Sequence, residues 1–248
     1  MIRSIGYVIL GLLAYAVFVI ATLPASQAIA LLQQRLPTLR AAGVTGTAWS
    51  GAAAVLQLGN QNLQHVDWQI NPWSVLLGEL EVDVVLDDAD IAGSASLGLK
   101  PDGAVHLSDV NLRLDAGRFS TLARTPVTLG GQFDLQLDSA ALKGRQLNAA
   151  SGQVRWQRAA VTAPVAQPLG EFVAQLSTTK DGVKAQIKDD GGPLQLNGSA
   201  LLTPQGSYTF TGSVALRDPQ QQMLVQGLRA MGRPGADGRV PLRYSGRL

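Results

Sequence analysis

From Gly43 onward, apolar and polar residues alternate with a period of two. Val66-Asp67-Trp68-Gln69-Ile70, Leu80-Glu81-Val82-Asp83-Val84, Leu112-Arg113-Leu114, Phe133-Asp134-Leu135-Gln136-Leu137 and Leu194-Gln195-Leu196 all follow this rule. Successive side chains of a strand point to opposite faces, so the pattern places one face on apolar ground and the other in water. Ala52–Leu58 reads as a more uniformly apolar strand. Turn signals punctuate the runs: Pro101-Asp102-Gly103, Lys180-Asp181-Gly182, Asp190-Gly191-Gly192-Pro193 and Pro204-Gln205-Gly206. Such punctuation implies hairpins strung into a meander. The pattern therefore predicts a mainly β protein: a twisted, mostly antiparallel sheet over residues 43–248, with a few short helices. One helix is expected near Gly117–Ala123. Another is expected from Asp218-Pro219 to about Met231, with the aspartate as N-cap and proline at the first helical position.

The N-terminus follows a different rule. Ile5 to Leu23 is a run of 19 residues without a charge. At 1.5 Å per residue, about 20 apolar residues cross a hydrocarbon core of about 30 Å. This predicts a transmembrane helix through Ile5, Leu10, Phe18 and Leu23, stopped by Pro24. Arg3 on the short side favours a cytosolic N-terminus, with the rest of the chain outside the cytosol. A cleaved signal peptide is the rival reading, since Ser26-Gln27-Ala28 would pass as a cleavage site, although signal cores are usually shorter. Ser26 to Arg40 reads as a short helical stalk that Pro37 cuts, with Ile29, Leu32 and Leu36 on one face. The expected organisation is thus a cytosolic tip and anchor over 1–25, a stalk over 26–42 and a β-rich body over 43–248.

The body echoes itself. Val66-Asp67-Trp68 leads to Leu77-Gly78-Glu79-Leu80, and Val154-Arg155-Trp156 leads to Leu169-Gly170-Glu171-Phe172. Gly93-Ser94-Ala95 leads to Pro101-Asp102-Gly103, and Gly198-Ser199-Ala200 leads to Pro204-Gln205-Gly206. Two related β-units, about 43–115 and 150–248, joined near 116–150, account for these echoes.

Composition removes most chemistry. There are no cysteines and two histidines, His65 and His106, so disulfide scaffolds, thiol enzymes and histidine-built metal sites are not expected. The basic residues are scattered rather than striped with aromatics, so nucleic-acid binding is not expected. Six acids lie between Glu79 and Asp90, but Glu79, Glu81 and Asp83 are two apart, which is the wet face of one strand. Their spacing does not fit a calcium loop. No serine nucleophile motif or phosphate-binding glycine loop occurs. The expectation is a protein that is not an enzyme and holds no cofactor. The aromatic residues are the sharper signal. Trp49, Trp68, Pro72, Trp73, Leu77 and Trp156 are the candidates for a structural or interface role, and Trp73 with Leu76 and Leu77 is expected to plug the end of the sheet.

These residues carry a resemblance. Gly46-Thr47-Ala48-Trp49-Ser50-Gly51, then Val66-x-Trp68-x-Ile70-x-Pro72-Trp73-Ser74-x-Leu76-Leu77-Gly78, the second Val154-x-Trp156, and a closing Gly232, Asp237-Gly238-Arg239, Pro241-Leu242 and Gly246-x-Leu248 are similar to the type II secretion system protein N family. The resemblance covers nearly the whole chain. It implies a non-enzymatic inner-membrane component of the export machine, with its bulk in the periplasm and with the secretin or inner-membrane subunits as partners. It maps no catalytic residue. The alternative is an AsmA/TamB-like periplasmic module whose sheet handles lipid in an apolar groove. Period-two alternation alone does not separate a groove from a closed core.

Overall fold

The computed structural model describes residues 2–59, 61–118, 128–144, 146–163, 166–218 and 220–247, with side chains at all of these except 2–6, 8, 9, 13, 76, 222, 230 and 231. The chain forms two compact units, Met1–Asp88 and Ala89–Leu248.

The first unit holds helix α1 (Ile2–Ala21), helix α2 (Ala25–Arg35), and strands β1 (Leu39–Gly46), β2 (Ser50–Leu58), β3 (Gln61–Ile70) and β4 (Leu80–Asp87), with the short helix α3 (Pro72–Leu76) between β3 and β4. Each strand pairs antiparallel with its neighbour in sequence. Among the described residues, no helix is long and apolar enough to cross a membrane. The expected crossing is therefore not a described feature of the fold. The described side chains of α1 are nonetheless exposed and apolar, Leu10, Leu12, Val17, Phe18 and Ile20 among them. The stalk helix ends at Arg35, two residues before Pro37, and β1 starts already at Leu39. On α2, Ile29 is half-buried and Leu32 is exposed, as is Leu36 just past the helix end. The helix packs on β1, with Ala25 buried.

The second unit is a nine-stranded antiparallel meander. Its strands are β5 (Ile91–Leu99), β6 (Ala104–Asp115), β7 (Thr128–Lys143), β8 (Gln146–Ala163), β9 (Gln167–Thr179), β10 (Gly182–Asp189), β11 (Leu194–Leu202), β12 (Ser207–Leu216) and β13 (Val240–Arg247), with helix α4 (Gln222–Met231) before the last. Spatial order equals sequence order. The fold is thus mainly β and antiparallel, as the alternation predicted. Residues 116–150, expected to join two units, contain β7, which pairs with β6 on one side and β8 on the other. Of the helix expected at Gly117–Ala123, 119–123 lie outside the described residues. The C-terminal helix begins at Gln222, later than expected. Asp218 does not cap it. Its carboxylate accepts the Gln220 N–H at 2.9 Å in a turn ahead of the helix; Pro219 lies outside the described residues.

The turn residues behave as their chemistry dictates. In the β5–β6 turn, Asp102 accepts the Ala104 N–H at 3.1 Å and Lys143 Nζ lies 3.4 Å from its other oxygen. These contacts, the backbone bond first, lower the Asp102 pKa. A depressed carboxylate favours the folded state above its ordinary pKa, and that contribution is lost as pH falls through the lowered value.

Candidate functional site

The most specific sequence elements meet at one end of the first unit. The β1–β2 hairpin, Gly46 to Ser50, is tied to the end of α1. The Ala48 N–H donates to the Leu23 carbonyl at 2.8 Å, and the Trp49 indole N–H donates to the Ile20 carbonyl at 2.8 Å. The end of β3 is tied to the same hairpin. The Ile70 N–H donates to the Trp49 carbonyl at 2.6 Å, and the Trp68 indole donates to the Ala48 carbonyl at 3.1 Å. Gly51 makes room for Trp68, because a Cβ there would lie 2.6 Å from the indole ring. Trp49 and Trp68 are half-buried and each spends its polar atom on a backbone carbonyl, as half-buried indoles do.

Helix α3 starts two residues past Ile70. Asn71 caps it by accepting the Trp73 N–H at 3.1 Å, and Pro72 takes the first position. Ser74 locks the turn from inside. It is buried, donates to the Asn71 carbonyl at 2.7 Å and accepts the Glu81 N–H at 3.2 Å. Residues four apart share a helix face. With Ser74 inside, Trp73 and Leu77 are left facing out.

The expected plug is therefore not formed by these two residues: Trp73 is 73 % exposed and Leu77 85 %. Val75 is also exposed. A side chain so exposed leaves no cavity on removal. Trp73→Ala should shift the unfolding free energy by no more than about 0.5 kcal/mol, the range of ordinary surface changes. Chemical denaturation of the purified protein checks this, and a loss of several times that size would return Trp73 to a structural role.

In the second unit the aromatic candidate is Trp156 on β8. It is paired directly with Phe133 on β7 and Phe172 on β9. Its ring stacks on Phe133 at 5.2 Å between centroids and meets Phe172 at 5.8 Å. The indole N–H donates to the Gly130 carbonyl at 3.0 Å.

The register sorts the nine strands into two chemically opposite faces. Directly paired residues share a face. One row runs Gly93, Leu112, Leu135, Val154, Ala174, Ile187, Gly198, Gly212, Leu242, apolar across all nine strands. The next row, on the other face, runs Ser94, Asn111, Gln136, Gln153, Gln175, Gln186, Ser199, Thr211, Arg243, polar throughout. Apart from buried Leu242, the apolar row is half-buried. Helix α4 packs on β12 and β13. Alternation along single strands revealed the faces, but the continuity of these rows needed the register.

The cleft beside β5, β6 and β7 is polar. It holds about 450 Å3 and is lined by Asp90, Arg113, Asp115, Gln132 and Arg158. Arg113 lies 3.5 Å from Asp134 and Arg118 lies 3.6 Å from Asp90. On β4 the acids Glu81, Asp83 and Asp87 are exposed while their neighbours Val82, Val84 and Leu86 are half-buried. Among the described residues, no group of three or more His, Cys, Asp or Glu could hold a metal ion.

Comparison with known proteins matches residues 37–243 to the family described as type II secretion system (T2SS), protein N. The type II secretion system protein N of Aeromonas hydrophila is 30% identical over 245 residues, covering 96% of each chain. The protein of that name from Vibrio cholerae serotype O1 is 25% identical over 99% of each chain. The one from Klebsiella pneumoniae is 27% identical over 96% of this chain and 94% of its own length. No solved structure matches.

Proposed function

This chain belongs to the type II secretion system protein N family, and from that premise we propose that it works in the cell envelope by contact rather than by catalysis. The observation that carries the reading is the extent of the match, which takes in almost the whole β body and both of its units. The proposed placement is a single N-terminal crossing of the inner membrane, with the bulk in the periplasm and other secretion-system proteins, the secretin or inner-membrane subunits, as partners. Two features support the anchor: the uncharged run from Ile5 to Leu23, and a 20-residue helix whose described apolar side chains face outward.

The test is genetic and topological. Deleting the gene in its host should leave the exported proteins of the type II pathway in the periplasm, with restoration by the full chain. Normal export after deletion would remove the function. A reporter fused after Arg247 should be active only outside the cytosol. A soluble mature form beginning near Ile29 would show that the segment is a cleaved signal instead.

One observation favours a second reading. The apolar row across nine strands, half-buried for most of its length, is the surface an AsmA/TamB-like module would offer to acyl chains. Lipid retained by the purified protein, with no secretin recovered alongside, would favour that role.

A further inference from the structure

We propose that the α3 turn is a second membrane contact: an apolar foot, built by Trp73 and Leu77, resting in the lipid interface beside the point where α1 leaves the bilayer. The inference rests on the reading of α1 as the anchor and adds a surface that reading does not require.

The argument is one of position. The end of α1 is pinned to Ala48 and Trp49 by the two hydrogen bonds at 2.8 Å. Trp49 is in turn bonded to Ile70, and α3 begins at Pro72. The exposed apolar turn therefore sits within a few residues' reach of the carbonyls of Ile20 and Leu23, the last residues of the uncharged run. If those residues mark the outer boundary of the hydrocarbon, α3 lies at headgroup level. Tryptophan is the residue enriched at that level, because its ring is apolar and its N–H is wet.

The turn is also built to present these side chains rather than to shelter them. Ser74 and Asn71 hold the backbone from inside through three hydrogen bonds, so Trp73 and Leu77 are displayed from a fixed platform. Exposed apolar side chains on a rigid turn enter an interface with little ordering cost. The nearby carboxylates Glu81 and Asp83 argue against attraction to anionic headgroups. The fitting occupant is the uncharged, apolar part of the interface, in a zwitterionic bilayer.

The natural absence of cysteine makes the test direct. Full-length variants Leu77→Cys, Phe18→Cys and Leu58→Cys carry an environment-sensitive dye and are reconstituted into phosphatidylcholine vesicles with or without brominated acyl chains. Leu58 is the exposed control at the opposite end of β2, about 23 Å of strand from Gly51. Position 18 reports the anchor. The expected result is blue-shifted emission and bromine quenching at positions 18 and 77, and neither at 58. Quenching at 18 with a water-like, unquenched signal at 77 overturns the foot and leaves the anchor standing, and α3 then faces solvent or a protein partner. An unquenched position 18 overturns the anchor; with 77 also unquenched, the foot falls too, whereas quenching at 77 alone keeps the lipid contact without a crossing. Equal quenching at 58 and 77 overturns the foot as a specific contact.

Discussion

Cutting Trp156 back to alanine will lower the unfolding free energy by about 3 kcal/mol, the lower end of the range for buried tryptophan because this ring is half rather than fully buried. The loss has three parts. The ring leaves a gap between Phe133 and Phe172, which face it from the two neighbouring strands. The aromatic contacts at 5.2 Å and 5.8 Å vanish. The Gly130 carbonyl also loses its indole donor. A single domain commonly has only about 5–15 kcal/mol in hand, so the variant should be visibly less abundant in cells. Trp156→Phe separates the parts, since it keeps most of the stacking and costs about 1 kcal/mol for the missing hydrogen bond. Denaturant titration of the two purified variants reads both numbers. Equal losses would show that the N–H, not the ring, is what matters.

Gly93→Ala will be about as damaging, on the order of 3 kcal/mol, although it adds one methyl group. Gly93 holds φ +143°, a backbone region that side-chain-bearing residues rarely adopt. A Cβ there would run into the carbonyl oxygen of Asn111 on β6, a backbone atom that cannot swing aside. The residue begins the apolar row, opposite Leu112. Gly98, five residues along the same strand, is the control. A Cβ there meets its nearest neighbours at 3.8 Å, ordinary contact, and its φ is not of the restricted kind. Gly98→Ala should stay within about 0.5 kcal/mol of the parent. Similar melting of the two variants would mean that β5 shifts freely and that its register is not fixed at Gly93.

The contrast between those glycines also shows where sequence reasoning stops. The strands were legible because alternation is written residue by residue, as in Phe133 to Leu137. The turns at Pro101 and Pro204 were legible because proline fixes φ while Gly103 and Gly206 take the positive φ that other residues avoid, and both effects are local. The burial of Trp73 was misjudged because aromatic identity says how much surface could be buried, while the helical period, set by Ser74 inside, decided which way the ring points. The late start of α4 reflects a local contest, in which the Asp218 carboxylate satisfied a nearer amide, Gln220, before a helix could use it. The polar row of asparagine and glutamines was invisible in sequence, since it depends on nine strands keeping step.

The meander has a kinetic side. Within each unit, every strand after the first pairs with the strand made just before it. Local pairing of this kind carries little loop-closure entropy, so ordering can keep pace with a chain that emerges N-terminus first. A Greek key would have to hold its early strands open until a late one arrived. Here the growing sheet has one fresh edge at a time, and that edge moves along the chain as it lengthens. Among the described strands β13 is an edge, and it carries Pro241, which has no amide to donate, and the charges of Arg243 and Arg247. Such residues discourage another strand from adding on.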